Sequence, residues 1–356
     1  MQNPFSTTFS KLPEYTYIPT EEPREIIENF SYESPTESVY KITGIRGSGK
    51  TVILANIHDK IRSKEFADNG WIVYSLNPGR DMLVQFAAAL NSEKFIRERA
   101  KSISLNLSAS VFGTGGGVGF SKQPDDRFFD VGVEIGKMLE VVRELHKKIL
   151  ICVDDVSKTQ DMVVFAHEFS GWLFSGFPVY FVCTGLYENV MELGNTKNLT
   201  FFRRGTTVAT KPLNYIRMSE MYKSRLSVDA DTSKKMASIT RGYAYAFQQL
   251  GAIYFRRGND ASFEEMIDEL KSELFAYSYE KIWEELSGED RFLASLLTAK
   301  EEYKREEVLS LMGDKSKGYS VYRDRLLKRG VITGRQGYIG LNPPFFAEYV
   351  REYGMI

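Results

Sequence analysis

One stretch of this chain decides its fold: Gly44-Ile45-Arg46-Gly47-Ser48-Gly49-Lys50-Thr51. It fits the pattern G-x-x-x-x-G-K-[ST], in which glycines let successive backbone N–H groups point at phosphates, the lysine reaches the outer phosphates, and the last hydroxyl is available to Mg²⁺. The alternative is a chance match in a loop with structural glycines. The flanking sequence argues against chance, because a β-rich run (Val39–Ile42) precedes the motif and a helical pattern (Val52–Ile57) follows it. The stretch therefore predicts a strand, a phosphate-binding loop and a helix, in that order.

The composition is that of an ordinary globular protein. The 356 residues are enough for two or three domains, and 43% of them are hydrophobic and 26% charged. The formal net charge of −1 gives no global sign of a nucleic-acid or membrane partner, so any basic surface must be local. Cys152 and Cys183 lie in apolar runs, which predicts reduced core residues in a cytoplasmic protein. No apolar run has the length of a membrane span, so we expect no membrane association.

A carboxylate pair supplies the second nucleotide-binding signature. Asp154 and Asp155 follow Lys148–Val153, a run typical of a strand buried on both faces. Downstream of a phosphate loop this pattern favours a Walker B strand over a simple helix N-cap. We expect Asp154 to hold Mg²⁺, usually through water, and Asp155 to orient or deprotonate the attacking water. A further apolar run, Val179–Cys183, leads into Thr184, which should lie beside the carboxylates because ligands bind at the carboxyl ends of parallel strands.

An unusual segment lies between the phosphate loop and the carboxylate pair. Residues 103–111 alternate apolar and small polar side chains, and the glycine-rich run 113–120 follows. The alternation predicts a β-hairpin insertion near residues 102–121. A second nucleotide-binding loop is the alternative, and it is less favoured because no lysine follows in the right place.

The stretch after the last apolar strand carries candidate arginines. Arg203 and Arg204 could reach a phosphate across the interface of a nucleotide-dependent homo-oligomer, or they form a solvated pair at a helix end. Beyond Pro212 the strand patterns give way to helical ones, which predicts a small helical lid over the nucleotide. Arg241 at the entry to a lid helix is either a phosphate contact or a surface residue.

The C-terminal part combines three helical patterns with a glycine-containing hairpin pattern (Val331–Leu341), which predicts a winged helix. Between residues 315 and 335, seven basic side chains oppose only Asp324, the footprint of a DNA-backbone reader. Winged helices also contact proteins, so both partners stay open. The residues that we expect to meet DNA are Lys317, Arg325, Arg329 and Arg335.

Together these motifs resemble the AAA+/STAND-type P-loop ATPases, and in particular the archaeal-type ATPase and origin-recognition-like group. The resemblance is carried by Gly44–Thr51, Leu150–Val156, Val182–Gly185, Lys211–Leu213 and the terminal winged helix. It implies an α/β fold, a P-loop αβα sandwich with a five-stranded parallel sheet, and Mg-ATP as the ligand. Two departures point to a slow switch: Walker B ends Asp-Asp where many active members have Asp-Glu, and the lid lacks an unmistakable sensor arginine.

The sequence thus predicts three domains: a nucleotide-binding domain at residues 1–213, a helical lid at 214–284 and a winged helix at 285–356. We expect an ATPase switch with slow hydrolysis, ATP/ADP and Mg²⁺ as ligands, and a DNA-binding winged helix. The alternative is a STAND-type signalling switch whose winged helix contacts protein. Catalytic roles are predicted for Asp155, Thr184, Arg203 and Arg204, and metal binding for Thr51 and Asp154. The residues predicted to bind the nucleotide are Gly44, Ile45, Arg46, Gly47, Ser48, Gly49, Lys50, Thr51 and Val52.

Overall fold

A five-stranded sheet organises the N-terminal part of the protein. The computed structural model describes residues 2–6, 12–100, 130–197, 199–258 and 260–354. The sheet runs in the order β2-β3-β4-β1-β5 with all neighbours parallel, so the predicted five-stranded parallel sheet is confirmed. The predicted hairpin near residues 102–121 lies outside the described residues. The strands are β1 (Val39–Thr43), β2 (Trp71–Leu76), β3 (Lys148–Val153), β4 (Val179–Gly185) and β5 (Thr206–Ala209).

Helices cover both faces of this sheet. Successive side chains of a strand point to opposite faces, so in β3 Leu150 and Cys152 face α1 and α2, whereas Ile149 and Ile151 face α4, α6 and α7. Burial on both faces explains the continuous apolar run of this strand. The helices are α1 (Glu21–Ser31), α2 (Lys50–Ile61), α3 (Lys64–Asp68), α4 (Met82–Ser92), α5 (Lys94–Ala100), α6 (Val131–Glu144), α7 (Gln160–Phe174), α8 (Tyr187–Gly194) and α9 (Thr200–Arg204).

The segment after β5 is helical throughout and shares one apolar core with the C-terminal part. Its last long helix continues into a π-helical turn, Phe275–Tyr279, which leads directly into the next helix. The π-helical hydrogen-bond pattern is rare and often marks a functional position. The helices are α10 (Tyr215–Leu226), α11 (Ala230–Thr240), α12 (Ala244–Arg257), α13 (Phe263–Leu274) and α14 (Glu280–Glu284).

The C-terminal part consists of helices around a small antiparallel sheet. The sheet has the order β6-β8-β7, so the predicted hairpin gains a third, two-residue strand that the sequence pattern did not reveal. A terminal helix was not predicted either. The elements are α15 (Gly288–Leu296), β6 (Tyr303–Lys304), α16 (Arg305–Met312), α17 (Tyr319–Arg329), β7 (Ile332–Arg335), β8 (Tyr338–Leu341) and α18 (Phe346–Tyr353).

Two observations bear on the compositional expectations. Cys152 and Cys183 are free and buried, and burial raises the pKa of each thiol well above its usual value. Within the described ranges, no helix combines the length and the apolarity that crossing a bilayer requires.

The interior strand β1 carries a buried lysine that no sequence pattern indicated. Lys41 is 1% exposed, and its ammonium donates to the carbonyl oxygens of Phe202, at 2.6 Å, and Arg203, at 3.4 Å. These carbonyls lie in the last turn of α9, where no intrahelical donors remain and positive charge is favoured. Burial lowers the pKa of this lysine. Lys41 thus fixes the end of the helix that carries Arg203 and Arg204.

Candidate nucleotide-binding site

The phosphate-loop motif lies between the end of β1 and the start of α2. Gly47 and Gly49 have φ angles of +73° and +96°, a backbone conformation that glycine adopts without strain. The loop leads into the N-terminus of α2, whose first N–H groups have no partner within the helix. The Ser48 hydroxyl is buried and has no hydrogen-bond partner, so the loop holds a polar atom that a ligand or water must satisfy. This is the geometry of an anion site.

Lys50 lies across the loop. Its ammonium donates to the carbonyl oxygens of Gly44 and Ile45, both at 2.9 Å. Burial lowers the pKa of Lys50 to about 8, although the negative charges of Asp155 and Asp154 oppose this effect. A phosphate anion would offer the ammonium a stronger, charged acceptor than these neutral carbonyls.

Polar side chains from the start of α2 and from the carboxyl ends of β3 and β4 meet near this lysine. The Thr51 hydroxyl lies 3.0 and 3.1 Å from the two carboxylate oxygens of Asp154. The buried Thr184 hydroxyl donates to the same carboxylate at 2.5 Å and accepts the backbone N–H of Asp155 at 2.9 Å. Asp155 itself is exposed and has a φ of +55°, a conformation that costs a non-glycine residue energy. The structure thus brings together Thr51, Asp154, Asp155 and Thr184, four of the residues that the sequence predicted to act on the phosphates, the attacking water or the metal.

These residues fit a hydrated Mg²⁺ ion. A hydroxyl and a carboxylate already lie within hydrogen-bond distance of each other, and oxygen donors of this kind are what Mg²⁺ prefers when it retains several waters. No group of three or more His, Cys, Asp or Glu side chains suited to a metal occurs among the described residues.

Two segments without a recognised motif line a cleft beside the loop. Tyr17 and Ile18 line it from the N-terminal arm, and Ala244 and Tyr245 line it from the start of α12. The arm is tied to α12, because the Thr16 hydroxyl donates to the Gln248 side chain at 3.0 Å. Sequence reasoning did not predict this contribution of the N-terminal arm. An irregular proline- and tyrosine-containing segment gives no periodic signal.

The predicted arginine fingers lie far from this site within one chain. Arg203 and Arg204 are exposed at the end of α9, immediately before β5 begins. They therefore lie at the amino-terminal edge of the parallel sheet, whereas the phosphate loop, Asp154 and Thr184 lie at its carboxyl edge. Only a second molecule could bring these arginines to the phosphates.

Three other candidate arginines form ion pairs within the chain. Two of them, Arg325 and Arg329, are therefore not part of a free basic face of the kind that the sequence predicted for DNA binding. Arg325 pairs with the buried Asp290 at 2.8 Å, and Arg329 pairs with Glu188 of α8. The side chain of Arg329 is only 11% exposed. Arg241 pairs with Glu301 at 2.6 Å, so it points to the C-terminal part and not to the phosphates. Lys317 and Arg335, the other predicted DNA contacts, are exposed.

Comparison with sequence families gives one partial match. Residues 276–350 match a family described as a domain of unknown function, DUF8462. No curated protein sequence matches the chain.

Among the solved structures similar to this chain, two align with it over nearly the whole length. A Walker-type ATPase of Pyrococcus abyssi is 15% identical, has a TM-score of 0.58, and aligns over 93% of this chain and 95% of its own. The ORC2 protein of Aeropyrum pernix, solved in ADPNP-ADP complexes, is 12% identical, has a TM-score of 0.55, and aligns over 97% and 96%. This chain has the fold of the archaeal origin-recognition-like AAA+ ATPases. The motif-based resemblance is thereby confirmed, and in this ORC-like fold the phosphate loop, Asp154 and Thr184 lie together at one sheet edge.

The first prediction concerns the loop lysine. Lys50→Ala should weaken Mg-ATP binding at least about a hundredfold, because a charge-assisted contact to the outer phosphates is lost. Lys60→Ala is the matched control, since Lys60 lies on the same helix but pairs with Glu65 at 2.7 Å. Isothermal titration calorimetry on both folded variants measures the effect. Equal ATP affinity in the two variants would contradict the assignment of the loop.

Proposed function

We propose that the protein is a Mg-ATP-binding switch that hydrolyses ATP slowly. The observation that carries this proposal is the meeting of Lys50, Thr51, Asp154 and Thr184 at the carboxyl edge of the sheet, beside a glycine loop. This arrangement supplies backbone donors and an ammonium for phosphates, and oxygens for a hydrated metal. The fold alone would not carry the proposal, since one fold hosts many functions.

Each side chain has a distinct task in this proposal. Thr51 and Asp154 would hold Mg²⁺, which when bound neutralises phosphate charge. Lys50 binds the outer phosphates through its ammonium. Asp155, exposed beside Asp154, orients or deprotonates the attacking water. Thr184 keeps the Asp154 carboxylate in place through its hydroxyl, and its other hydrogen bond fixes the strained backbone at Asp155. Positioning and electrostatics, and not covalent chemistry, would supply the rate.

Two features make the turnover slow in a single chain. The candidate water-activating group is the shorter Asp155, where many active members of this ATPase class have glutamate. The candidate fingers Arg203 and Arg204 lie at the opposite sheet edge, so they act only across an interface between two copies. An arginine supplied in this way contributes about 10³–10⁵ in rate in other nucleotide hydrolases.

The second prediction separates metal binding from water activation. Asp155→Asn should keep ATP affinity within about twofold but lose most hydrolysis, since an amide cannot accept the water proton. Asp154→Asn should lose Mg²⁺-dependent affinity as well. Calorimetry with and without Mg²⁺, combined with phosphate-release assays, tests both expectations. Hydrolysis at the wild-type rate in both variants would show that other residues perform the chemistry.

The output of the switch is the docking of the C-terminal part on the nucleotide-binding part. Arg46 of the phosphate loop pairs with Glu285 at 2.8 Å, and Arg329 of α17 pairs with Glu188 of α8. Arg329 also donates to the backbone carbonyl of Glu285 at 3.0 Å. These contacts join the phosphate loop and the C-terminal part directly. A change in the loop on ATP binding would therefore alter how firmly the C-terminal part is held.

The third prediction tests this docking. Glu188→Lys places two positive charges together at the α8–α17 contact and should raise the rate of ADP release about fivefold, as about 1 kcal/mol of lost docking energy implies. Glu192→Lys is the matched control, because Glu192 lies one turn later on α8 and pairs with Lys158 instead. Release of a fluorescent ADP analogue measures both. Indistinguishable rates in the two variants would contradict a role for this contact.

DNA binding is the second candidate output, and the exposure of Lys317 and Arg335 favours it. In that case the C-terminal part meets DNA through these two side chains, while Arg325 and Arg329 stay paired within the protein. A STAND-type protein partner is the competing interpretation of the same surface.

The fourth prediction distinguishes these partners. If DNA is bound, affinity should fall with salt, and Lys317→Ala with Arg335→Ala should flatten the slope of log K against log salt by about 1.8 units, since each phosphate contact contributes about 0.9. Fluorescence anisotropy with a duplex of mixed sequence measures the slope. Absence of binding at low salt in the ATP and ADP states would rule out the DNA candidate.

A further inference from the structure

Two consecutive peptide groups of the phosphate loop are held by Tyr243, the residue before α12, and by Tyr245 in the first turn of α12. The Tyr243 hydroxyl donates to the Arg46 carbonyl oxygen at 2.5 Å, and the Tyr245 backbone N–H donates to the Gly47 carbonyl oxygen at 3.0 Å. Neither residue belongs to a recognised nucleotide-binding motif. The lid therefore contacts the loop through the loop's own backbone, from the side of these carbonyls.

The number of available protons decides which group donates in each hydrogen bond of Tyr243. A tyrosine hydroxyl has one proton, and a carbonyl oxygen can only accept, so that proton goes to Arg46. The Ser278 hydroxyl, 2.6 Å away in the π-helical turn, must then donate to the Tyr243 oxygen. Tyr243 is 7% exposed and Ser278 is 2% exposed. The Tyr243 hydroxyl thus donates its single proton within the protein, and it has no proton left to donate to a ligand.

The bond to Arg46 has a consequence for the next residue. A trans peptide is planar, so its C=O and N–H groups point in opposite directions, and the described residues contain no cis peptide. Because the Arg46 carbonyl points at Tyr243, the Gly47 N–H points away from the lid. A Cβ on Gly47 would lie 2.4 Å from the Tyr243 oxygen, closer than real Cβ atoms come. Glycine at this position therefore also makes room for the hydroxyl.

We infer that Tyr243 is a positioning residue for phosphate binding: by holding the Arg46–Gly47 peptide, it aims the Gly47 N–H at the phosphates of a nucleoside di- or triphosphate. This inference rests on the proposed nucleotide-binding function and adds a residue from outside the motif. A peptide that rotates freely must be ordered when phosphate binds, whereas a peptide already held by the lid is not reordered. The lid thus prepares the loop before the ligand arrives.

Tyr243→Phe removes the hydroxyl and keeps the ring, so it tests this role directly. We expect ATP and ADP affinities to fall about tenfold, the size of one hydrogen bond to a charged group. The matched control is Tyr222→Phe, since the Tyr222 hydroxyl is also buried in the lid and donates to a backbone carbonyl, that of Phe247, at 2.7 Å, away from the loop. Ser278→Ala should keep ATP affinity near that of the wild type, because Tyr243 still donates to Arg46.

A double variant separates positioning from folding stability. Tyr243→Phe leaves the buried Ser278 hydroxyl without its partner, which destabilises the fold. Tyr243→Phe combined with Ser278→Ala removes that orphaned group, so the thermal midpoint should recover towards that of the wild type while ATP affinity stays about tenfold weaker. Calorimetry with Mg-ATP and Mg-ADP and thermal unfolding, on all four variants and the wild type, give the readouts.

The outcomes separate this inference from the proposed function. ATP binding by the wild type, with a loss in Tyr243→Phe and in the double variant only, supports both. ATP binding that is equal in Tyr243→Phe and Tyr222→Phe overturns the positioning role and leaves the nucleotide site in place. Recovery of affinity together with stability in the double variant also overturns it. A wild-type protein that binds no ATP or ADP overturns both proposals.

Discussion

The structure depends on one constraint: the backbone of the phosphate loop must be held on one side and remain free on the other. A buried backbone group needs a partner, and an anion site needs donors without one. The Arg46 and Gly47 carbonyls are satisfied by the lid, whereas Lys50 and the start of α2 face the phosphate side. Lid and loop therefore form one unit. The π-helical turn that carries Ser278 extends this unit towards the C-terminal part.

Much of the fold could be predicted because its signals are local. The run from Ile149 to Val153 is apolar at every position, and β3 is buried on both faces. The loop motif predicts both a strand and a helix from a few adjacent residues. The two residues of β6 are too few to show a period, whereas α18 buries Phe346, Tyr349 and Val350 at helical spacing, a local pattern from which this helix could have been predicted. The meeting of Thr51, Asp154 and Thr184 followed from the rule that parallel strands end at the same edge.

The basic side chains near the C-terminus show where sequence reasoning fails. Counting charge between residues 315 and 335 gave a positive surface, but the carboxylates that pair with Arg325 and Arg329 lie outside that window. Asp290 lies in α15, before the window begins, and Glu188 lies in α8 of the nucleotide-binding part. Pairing between residues so far apart leaves no local pattern. The roles of Lys41 and Tyr243 could not be predicted for the same reason, since each side chain donates to a backbone carbonyl that is distant in the sequence.

In the proposed function, the phosphate loop and the docking of the C-terminal part respond to nucleotide together. Because Cys152 and Cys183 are both buried, spin labels can be placed selectively on Lys64→Cys in α3 and Ser320→Cys in α17, both at exposed positions. Pulsed electron spin resonance then gives the distribution of label distances without nucleotide, with Mg-ADP and with a non-hydrolysable ATP analogue. If docking responds to nucleotide, the distribution with the ATP analogue differs from that with ADP, and Lys50→Ala abolishes the difference. One unchanged distribution in all three states, with nucleotide bound, would contradict this response.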